Sequence, residues 1–187
     1  MVGVEKEEHM TAILISKVNV YGVEESRIAA SHPMAADIDD LKLSKDLFKK
    51  LFNAPPGSGH DCVAKGVTIQ FNLTAPEYFW RQLDRYHFID HVSSQSKMHK
   101  ICEFDLREMC NDQVDEVVIE NLEKLIVAKA PLRKIISNCP SGLRLTSRMT
   151  TNLLQLKSIY HQRRGHRLQE WQEFCDWIET IFTQLDI

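Results

Sequence analysis

No two cysteines in this 187-residue sequence stand in a CxxC spacing. The five that occur, Cys62, Cys102, Cys110, Cys139 and Cys175, are scattered and odd in number. That excludes a zinc ribbon or a closed disulfide framework and leads us to expect reduced thiols in a cytosolic protein. A basic excess is also missing: 23 Lys and Arg stand against 26 Asp and Glu, for a net charge of −3. Binding to a nucleic-acid polymer is therefore not expected. No apolar run approaches the length of a membrane span, and residues 1–10 are charged rather than signal-like. Those ten residues read as a flexible end before a single domain over 11–187. Repeats and low-complexity tracts are absent, and so is any HExxH pattern. His87 and His91 have the i, i+4 spacing of a chelating pair but no glutamate in the HExxH position, so no metal site is expected.

What is present is concentrated in residues 75–100, APEYFWRQLDRYHFIDHVSSQSKMHK. Ala75-Pro76 can open a helix, because proline is tolerated in a first turn. Tyr78, Phe79, Leu83 and Tyr86 then recur at helical spacing and can face a core, with Arg81, Gln82 and Arg85 beside them. His87, Asp90, His91, Ser93, Ser94, Gln95, Ser96, Lys97 and His99 follow as a dense set of donors and acceptors. Such a set suits a phosphate or a heterocycle edge; a solvated loop with scattered histidines is the plainer alternative.

The rest of the chain reads as strands and helices in mixture. Residues 11–20 alternate and are rich in β-branched side chains, as a strand requires. Residues 24–30 form a short helix ended at Ser31-His32-Pro33, and Asp39-Asp40 cap a helix carrying Leu41, Leu43, Leu47, Phe48 and Leu51. After the 53–59 loop (NAPPGSG), residues 66–73 form a second strand. Residues 101–112 are of mixed character, helix or partly ordered loop. Residues 113–129 form an amphipathic helix on Val114, Val117, Val118, Leu122, Leu125 and Ile126. A short helix starts at Pro131, a strand covers 143–151, and helices cover 152–162 and 168–185. Trp171, Phe174, Trp177, Ile178 and Ile181 supply the last one's buried face. The fold class is α+β with helix dominating.

Two pairs of residues carry candidate chemistry. Asn152 and Arg163 lie eleven residues apart on one helix, about 16 Å along its axis, which suits two parts of a long ligand; the alternative is a capping Asn and a surface Arg. Arg85 and Lys97 can bracket a phosphate, with hydroxyl donors from Ser94 and Ser96, while Gln82 can read a base through its amide. Alternatively Arg81 and Arg85 merely pair with Glu77 and Asp84 on an exposed helix. Cys62, two residues after His60, is expected to pack rather than act as a nucleophile.

These residues together resemble the flavin-dependent thymidylate synthases (ThyX). His60 stands fifteen positions before Ala75-Pro76, and Arg81-Gln82 and Arg85 follow in the family's places. Pro131, Pro140, Thr150, Asn152, Arg163 and Gln169 match its downstream pattern, and Ser31 falls where a flavin-contacting serine does. The signature R-H-R-x-x-S-x-N-E-x-S-x-R departs: here only Arg85 is kept, followed by Tyr86-His87, with Lys97 a partial substitute at the end. Lys65, Ile136, Leu154 and Ser158 replace further polar positions of the family. The resemblance implies a small, mainly antiparallel sheet covered by helices, FAD as cofactor, and NADPH and 5,10-methylenetetrahydrofolate as co-substrates. It implies a homotetramer with flavin sites between subunits, and one-carbon transfer to C5 of dUMP or a related nucleotide such as dCMP, giving a methyl or hydroxymethyl product. By the same resemblance Ser31, His60, Cys62, Arg85 and Asn152 serve the flavin. Gln82, Arg85, Ser94, Ser96, Lys97 and Arg163 serve the nucleotide, and Arg163 polarises its ring. A relative that binds nucleotide or flavin without turnover, or a non-enzymatic interaction domain, are the alternatives.

Overall fold

The computed structural model describes residues 12–187; the N-terminal end expected over 1–10 lies outside them. Four strands and nine helices occur among the described residues: β1 (Leu14–Tyr21), α1 (Val23–Ala29), α2 (Lys45–Phe52), β2 (Thr68–Pro76), α3 (Glu77–Leu83), β3 (Ile89–Ser94), α4 (Lys97–Lys100), α5 (Leu106–Met109), α6 (Glu116–Val127), α7 (Leu132–Ser137), β4 (Arg144–Asn152), α8 (Leu153–Arg163) and α9 (Gln169–Leu185). The sheet order is β1-β2-β4-β3, antiparallel throughout, as expected for the α+β class.

Alternation along β2 buries Ile69, Phe71, Leu73 and Ala75 on one face. Helices α2, α3, α8 and α9 cover that face with Phe48, Phe52, Phe79, Leu83, Leu156, Ile159, Trp171, Phe174 and Ile178. The opposite face stays polar: Thr74 and Thr146 share a hydroxyl hydrogen bond at 2.7 Å, and Arg148 reaches the Lys17 carbonyl at 2.7 Å. A second, smaller cluster gathers Ile101, Leu106, Cys110, Ile119, Leu122, Ile135 and Leu143 from the 3-10 helix Ile101–Glu103, α5 and the residue after it, α6, α7 and the approach to β4.

Several expectations need correction. Asp39-Asp40 do not cap the second helix. Asp37 caps a 3-10 turn over Ile38–Asp40, and α2 begins only after Ser44, whose Oγ accepts from the Leu47 N–H at 3.2 Å. Leu41 and Leu43 therefore precede the helix. Ala75-Pro76 end β2 rather than open α3, because Pro76 is extended (ψ 156°) and the Ala75 carbonyl accepts from the Trp80 indole at 2.9 Å. On α6 the buried stripe runs through Ile119 and Leu122, while Val117 lies on the far side, 64% exposed.

The polar stretch read as donors, acceptors or loop contains the edge strand β3, paired to β4 with only Ile89 buried. Strand geometry also removes the i, i+4 pairing of His87 and His91. His91 Nδ1 and Nε2 are instead hydrogen-bonded to Ser147 Oγ at 2.7 Å and Asp84 Oδ1 at 2.9 Å. Among the described residues no helix is long and apolar enough to cross a membrane.

Gly22, between β1 and α1, sits at φ 75°, and a Cβ there would lie 2.4 Å from the Gly66 carbonyl oxygen. Its substitution by alanine combines backbone strain with a clash. Gly22→Ala is expected to lower unfolding free energy by more than about 1 kcal/mol, read as a shift in urea midpoint.

Candidate active site

The first element of the site is a buried charge. Lys157, on α8, carries its ammonium to the carbonyls of Phe52 and Ala54 and to Asp61 Oδ2, the last two at 2.8 Å. Asp61 is 4% exposed. It belongs to the 3-10 helix His60–Gly66 that follows the 53–59 loop. Lys157 thus pins both loop and 3-10 helix against α8. Between them lies a cleft of about 470 Å³, with Pro56, Gly59 and Cys62 on the loop side and Leu154, Ser158, His161 and Gln162 on the α8 side.

The second element is a positioned cation at the end of α8. Arg163 Nε donates to the Tyr86 hydroxyl at 2.8 Å, and its guanidinium lies over the Trp171 ring at 4.7 Å. Tyr86 donates in turn to Gln162 Oε1 at 3.1 Å, and Gln162 Nε2 donates to Ser158 Oγ at 3.1 Å. This chain of hydrogen bonds joins Arg163 to the wall of the cleft. The two terminal guanidinium nitrogens have no hydrogen bond among the described residues and form a ready two-pronged donor. The Trp171 indole donates to Gln82 Oε1 at 2.9 Å, which fixes the Gln82 amide with its NH₂ turned away from the indole.

At the level of sequence, no protein-family profile and no curated protein matches the chain. Solved structures do match. ThyX from Helicobacter pylori with FAD and dUMP superposes at TM-score 0.74 with 14% identity, over 91% of this chain and 92% of that one. A second structure of that enzyme, complexed with FAD and dUMP, gives 0.71 at 14% identity, again over 91% and 92%. The UMP/dUMP methylase PolB from Streptomyces cacaoi, bound with 5-Br dUMP, gives 0.66 at 15%, over 92% and 91%. This chain has the ThyX fold.

Within the ThyX fold, the residues singled out from sequence fall into separate groups. Gln82 and Arg163 meet at Trp171, and Arg85, exposed and without an ion pair among the described residues, adjoins Tyr86. Cys62 lies on the loop side of the cleft, whereas His60, two residues earlier and exposed, is not part of its lining. Cys62 is exposed rather than packed, because the 3-10 helix turns Asp61 inward and its neighbour out. Asn152 caps α8, its Oδ1 accepting from the Gln155 N–H at 2.9 Å, which orients the side chain and leaves its amide NH₂ without a hydrogen bond among the described residues. Ser31 Oγ donates to the Ile28 carbonyl at 2.8 Å and accepts from the Lys42 N–H at 3.1 Å.

Lys97 departs most from expectation. It is ion-paired to Glu77 at 2.7 Å, at the start of α3, whereas Arg85 follows the helix's other end, roughly 12 Å away along the axis. The two therefore do not bracket one phosphate within a protomer. Arg81 also pairs with Glu77, at 3.0 Å, as the plainer reading had it, but Asp84 engages His91 instead of Arg85. Ser94 lines a separate cavity of about 170 Å³ beside Trp80 and His91, and Ser96 precedes α4.

Sequence reasoning missed Tyr86 as a polar partner, together with Gln162, Asp61 and Lys157. The hydroxyl of Tyr86 next to Arg85 was a usable signal; Asp61 and Lys157, 96 residues apart, offered none. His166 belongs to the cationic run Arg163-Arg164-Gly165-His166-Arg167, which the sequence shows as able to hold one anionic ligand. Burial and then the charges of Arg163 and Arg167 hold its pKa below the ordinary value of 6.5. Its Nδ1 accepts from the Leu168 N–H at 3.2 Å, as suits a neutral ring.

Two outcomes follow from these contacts. Lys157→Ala leaves Asp61 buried without its partner, and a loss of about 3–5 kcal/mol in unfolding free energy is expected by denaturant titration. For His166 the folded pKa is the lower one, so the unfolded chain binds more protons between the two values. Stability is retained above pH 6.5 and falls as the pH drops below it; His166→Gln should flatten that part of the urea-midpoint profile.

Proposed function

We propose that this chain is a flavin-dependent enzyme that transfers a one-carbon unit to C5 of a pyrimidine deoxynucleotide, dUMP or a relative such as dCMP. The observation that carries the reading is Arg163, held by Tyr86 and Trp171 and joined through Tyr86 and Gln162 to the wall of a cleft, in a fold whose solved examples hold FAD and dUMP. Two free donors on a rigid guanidinium suit a ring carbonyl edge, and a cation fixed where negative charge develops on that ring is the main catalytic effect such a site can supply. Gln82 adds an amide donor to the same edge, and Arg85 offers its unpaired charge to the nucleotide phosphate.

The residues of the cleft fit a flavin. Leu154 and Pro56 offer apolar faces to a flat ring, Ser158, His161 and Gln162 offer polar edges, and Gly57 and Gly59 leave open space where side chains would stand. The volume is at the lower part of the range for ligand sites and suits a ring system rather than a whole dinucleotide. Ser31, His60, Cys62 and Asn152 are assigned to this cofactor, which when bound supplies the hydride for the transferred carbon. NADPH and 5,10-methylenetetrahydrofolate are the co-substrates assigned to the reaction.

The remainder of the ligand requires a neighbouring copy, and this is where Ser94, Ser96 and Lys97 serve: displaced from Arg163 within the protomer, they can complete the site of another subunit in a homotetramer. The five free thiols suit a cytosolic enzyme. A relative that binds without turnover is the second reading, favoured by the Glu77 carboxylate that neutralises Lys97.

The purified protein should be yellow and release FAD on denaturation. It should turn over dUMP or dCMP with methylenetetrahydrofolate and NADPH, and Arg163→Lys should lower kcat/KM by about 10²–10³. Flavin and nucleotide binding without turnover would establish the second reading, and a colourless protein that takes up no FAD would overturn both.

A further inference from the structure

The small cavity of about 170 Å³ where β3 meets β4 is walled by Trp80, His91, Ser94, Leu145, Thr146 and Ser147. His91 and Ser94 are exposed, so it opens to solvent. One chain of hydrogen bonds runs along it. Asp84 Oδ1 lies 2.9 Å from His91 Nε2, and His91 Nδ1 lies 2.7 Å from Ser147 Oγ. A carboxylate only accepts, so the nitrogen facing Asp84 carries the ring proton. In the neutral imidazole Nδ1 is then an acceptor, and the Ser147 hydroxyl donates to it. The carbonyls of Ser93 and Arg148, at 2.9 and 3.4 Å, are the longer alternatives for that proton. The ring is also held by Trp80, with centroids 4.9 Å apart. Ser147 is 2% exposed and fixed in the ladder opposite Leu73 and Ser94. His91 pairs with Met149, two residues from Ser147, so both side chains share one face of the sheet. A bulge between His91 and Ser93 interrupts β3 at this point, a device that re-aims side chains beside active sites.

We propose that Ser147 and His91 form a second catalytic site, a nucleophile and its base acting on short-chain acyl esters, with Asp84 as the residue that positions the base. A hydroxyl bonded to an imidazole that a third group orients is the arrangement acyl transfer needs. Ser147 Oγ attacks the ester carbonyl carbon and its proton passes to His91 Nδ1. The ester C–O bond then breaks, and His91 returns the proton to the departing alcohol. Water cleaves the acyl-serine by the same proton path, so that ester and water give acid and alcohol. The Ser94 hydroxyl, on the cavity wall and without a hydrogen bond among the described residues, is the donor available to the oxyanion. Size sets the substrate class. The cavity is smaller than sites for drug-sized ligands, so it takes an acetyl or propionyl group against Trp80 and Leu145, with the alcohol toward solvent. None of Asp84, His91 and Ser147 lines the 470 Å³ cleft, and this site does not rest on the proposed one-carbon transfer.

Two assays on the full chain test the proposal: hydrolysis of p-nitrophenyl acetate, and reaction with methanesulfonyl fluoride followed by peptide mass mapping. Both are run without nucleotide, because Ser94 is also assigned to the ligand of a neighbouring copy. Wild type is expected to release p-nitrophenolate with saturation in ester. It should also take up one methanesulfonyl group on Ser147, with fluoride leaving and the hydroxyl proton passing to His91. Ser147→Ala should abolish both reactions, and His91→Gln should slow both by about a hundredfold or more. Asp84→Asn should lower kcat by about tenfold or more with KM unchanged, and Asp84→Glu should recover part of that loss, which a merely structural contact would not show. Thermal melting reports whether Ser147→Ala and His91→Gln fold. If either does not, the adduct on wild-type Ser147 and the variants of Asp84, whose side chain is 54% exposed, decide. No adduct on Ser147, an adduct only on other residues, or hydrolysis indifferent to Asp84→Asn overturns the proposal.

Discussion

The candidate active site depends on one interaction, the burial of the Lys157 ammonium against two main-chain carbonyls and the Asp61 carboxylate. An ammonium taken out of water costs several kcal/mol after relaxation. Three acceptors match its three N–H donors, so the cost is offset by full satisfaction. What the arrangement supplies is position. The 53–59 loop has two prolines and two glycines and little apolar surface with which to hold itself down. Tying the Ala54 carbonyl and Asp61 to one turn of α8 fixes both ends of that loop, and the cleft exists because the span between them stands off the helix.

The second constraint comes from the first turn of α9, where consecutive residues serve different neighbours. Trp171 is fully buried against Phe79 and Phe174, yet its outer face carries the Arg163 guanidinium and its indole N–H orients Gln82. Glu170, one position earlier and therefore about 100° round the helix, reaches into the seam between the two apolar clusters. Core packing and site geometry are thus inseparable at this point of the chain. Truncating Trp171 would empty the core and release the arginine together.

How much of this was legible in the sequence depended on periodicity. The helices α6 and α9 and strand β2 carry clear apolar repeats, and these, with α8 and β4, stand within a few residues of their expected places. β3 was invisible because an edge strand buries one face at most, and here only Ile89 is buried, so its composition reads as loop. The start of α2 was misplaced because acidic residues that can cap a helix here cap a 3-10 turn, and Ser44 stood unnoticed five residues later. In the site, Gln82 and Arg163 were legible as polar residues on helices with an apolar face, and Arg85 as a cation just past the end of one. The Lys157–Asp61 pair was not, since a long-range ion pair leaves no mark on local spacing.

The replacement of the signature's R-H-R by Arg85-Tyr86-His87 has a physical consequence. Tyrosine offers a single hydroxyl that here accepts from Arg163 and donates to Gln162, using both capacities at once. With both capacities taken up, the hydroxyl holds Arg163 Nε in one orientation. His166 is also near this arginine: burial, and then the charges of Arg163 and Arg167, hold its pKa below the ordinary value. Arg163 therefore sits among the rings of Tyr86, His166 and Trp171, with no carboxylate bonded to it among the described residues. Lys97, by contrast, is already paired with Glu77. An anion reaching this lysine must displace a carboxylate, whereas Arg163 has no such competitor among the described residues, and that difference leaves Arg163 the better placed of the two cations to meet an anion.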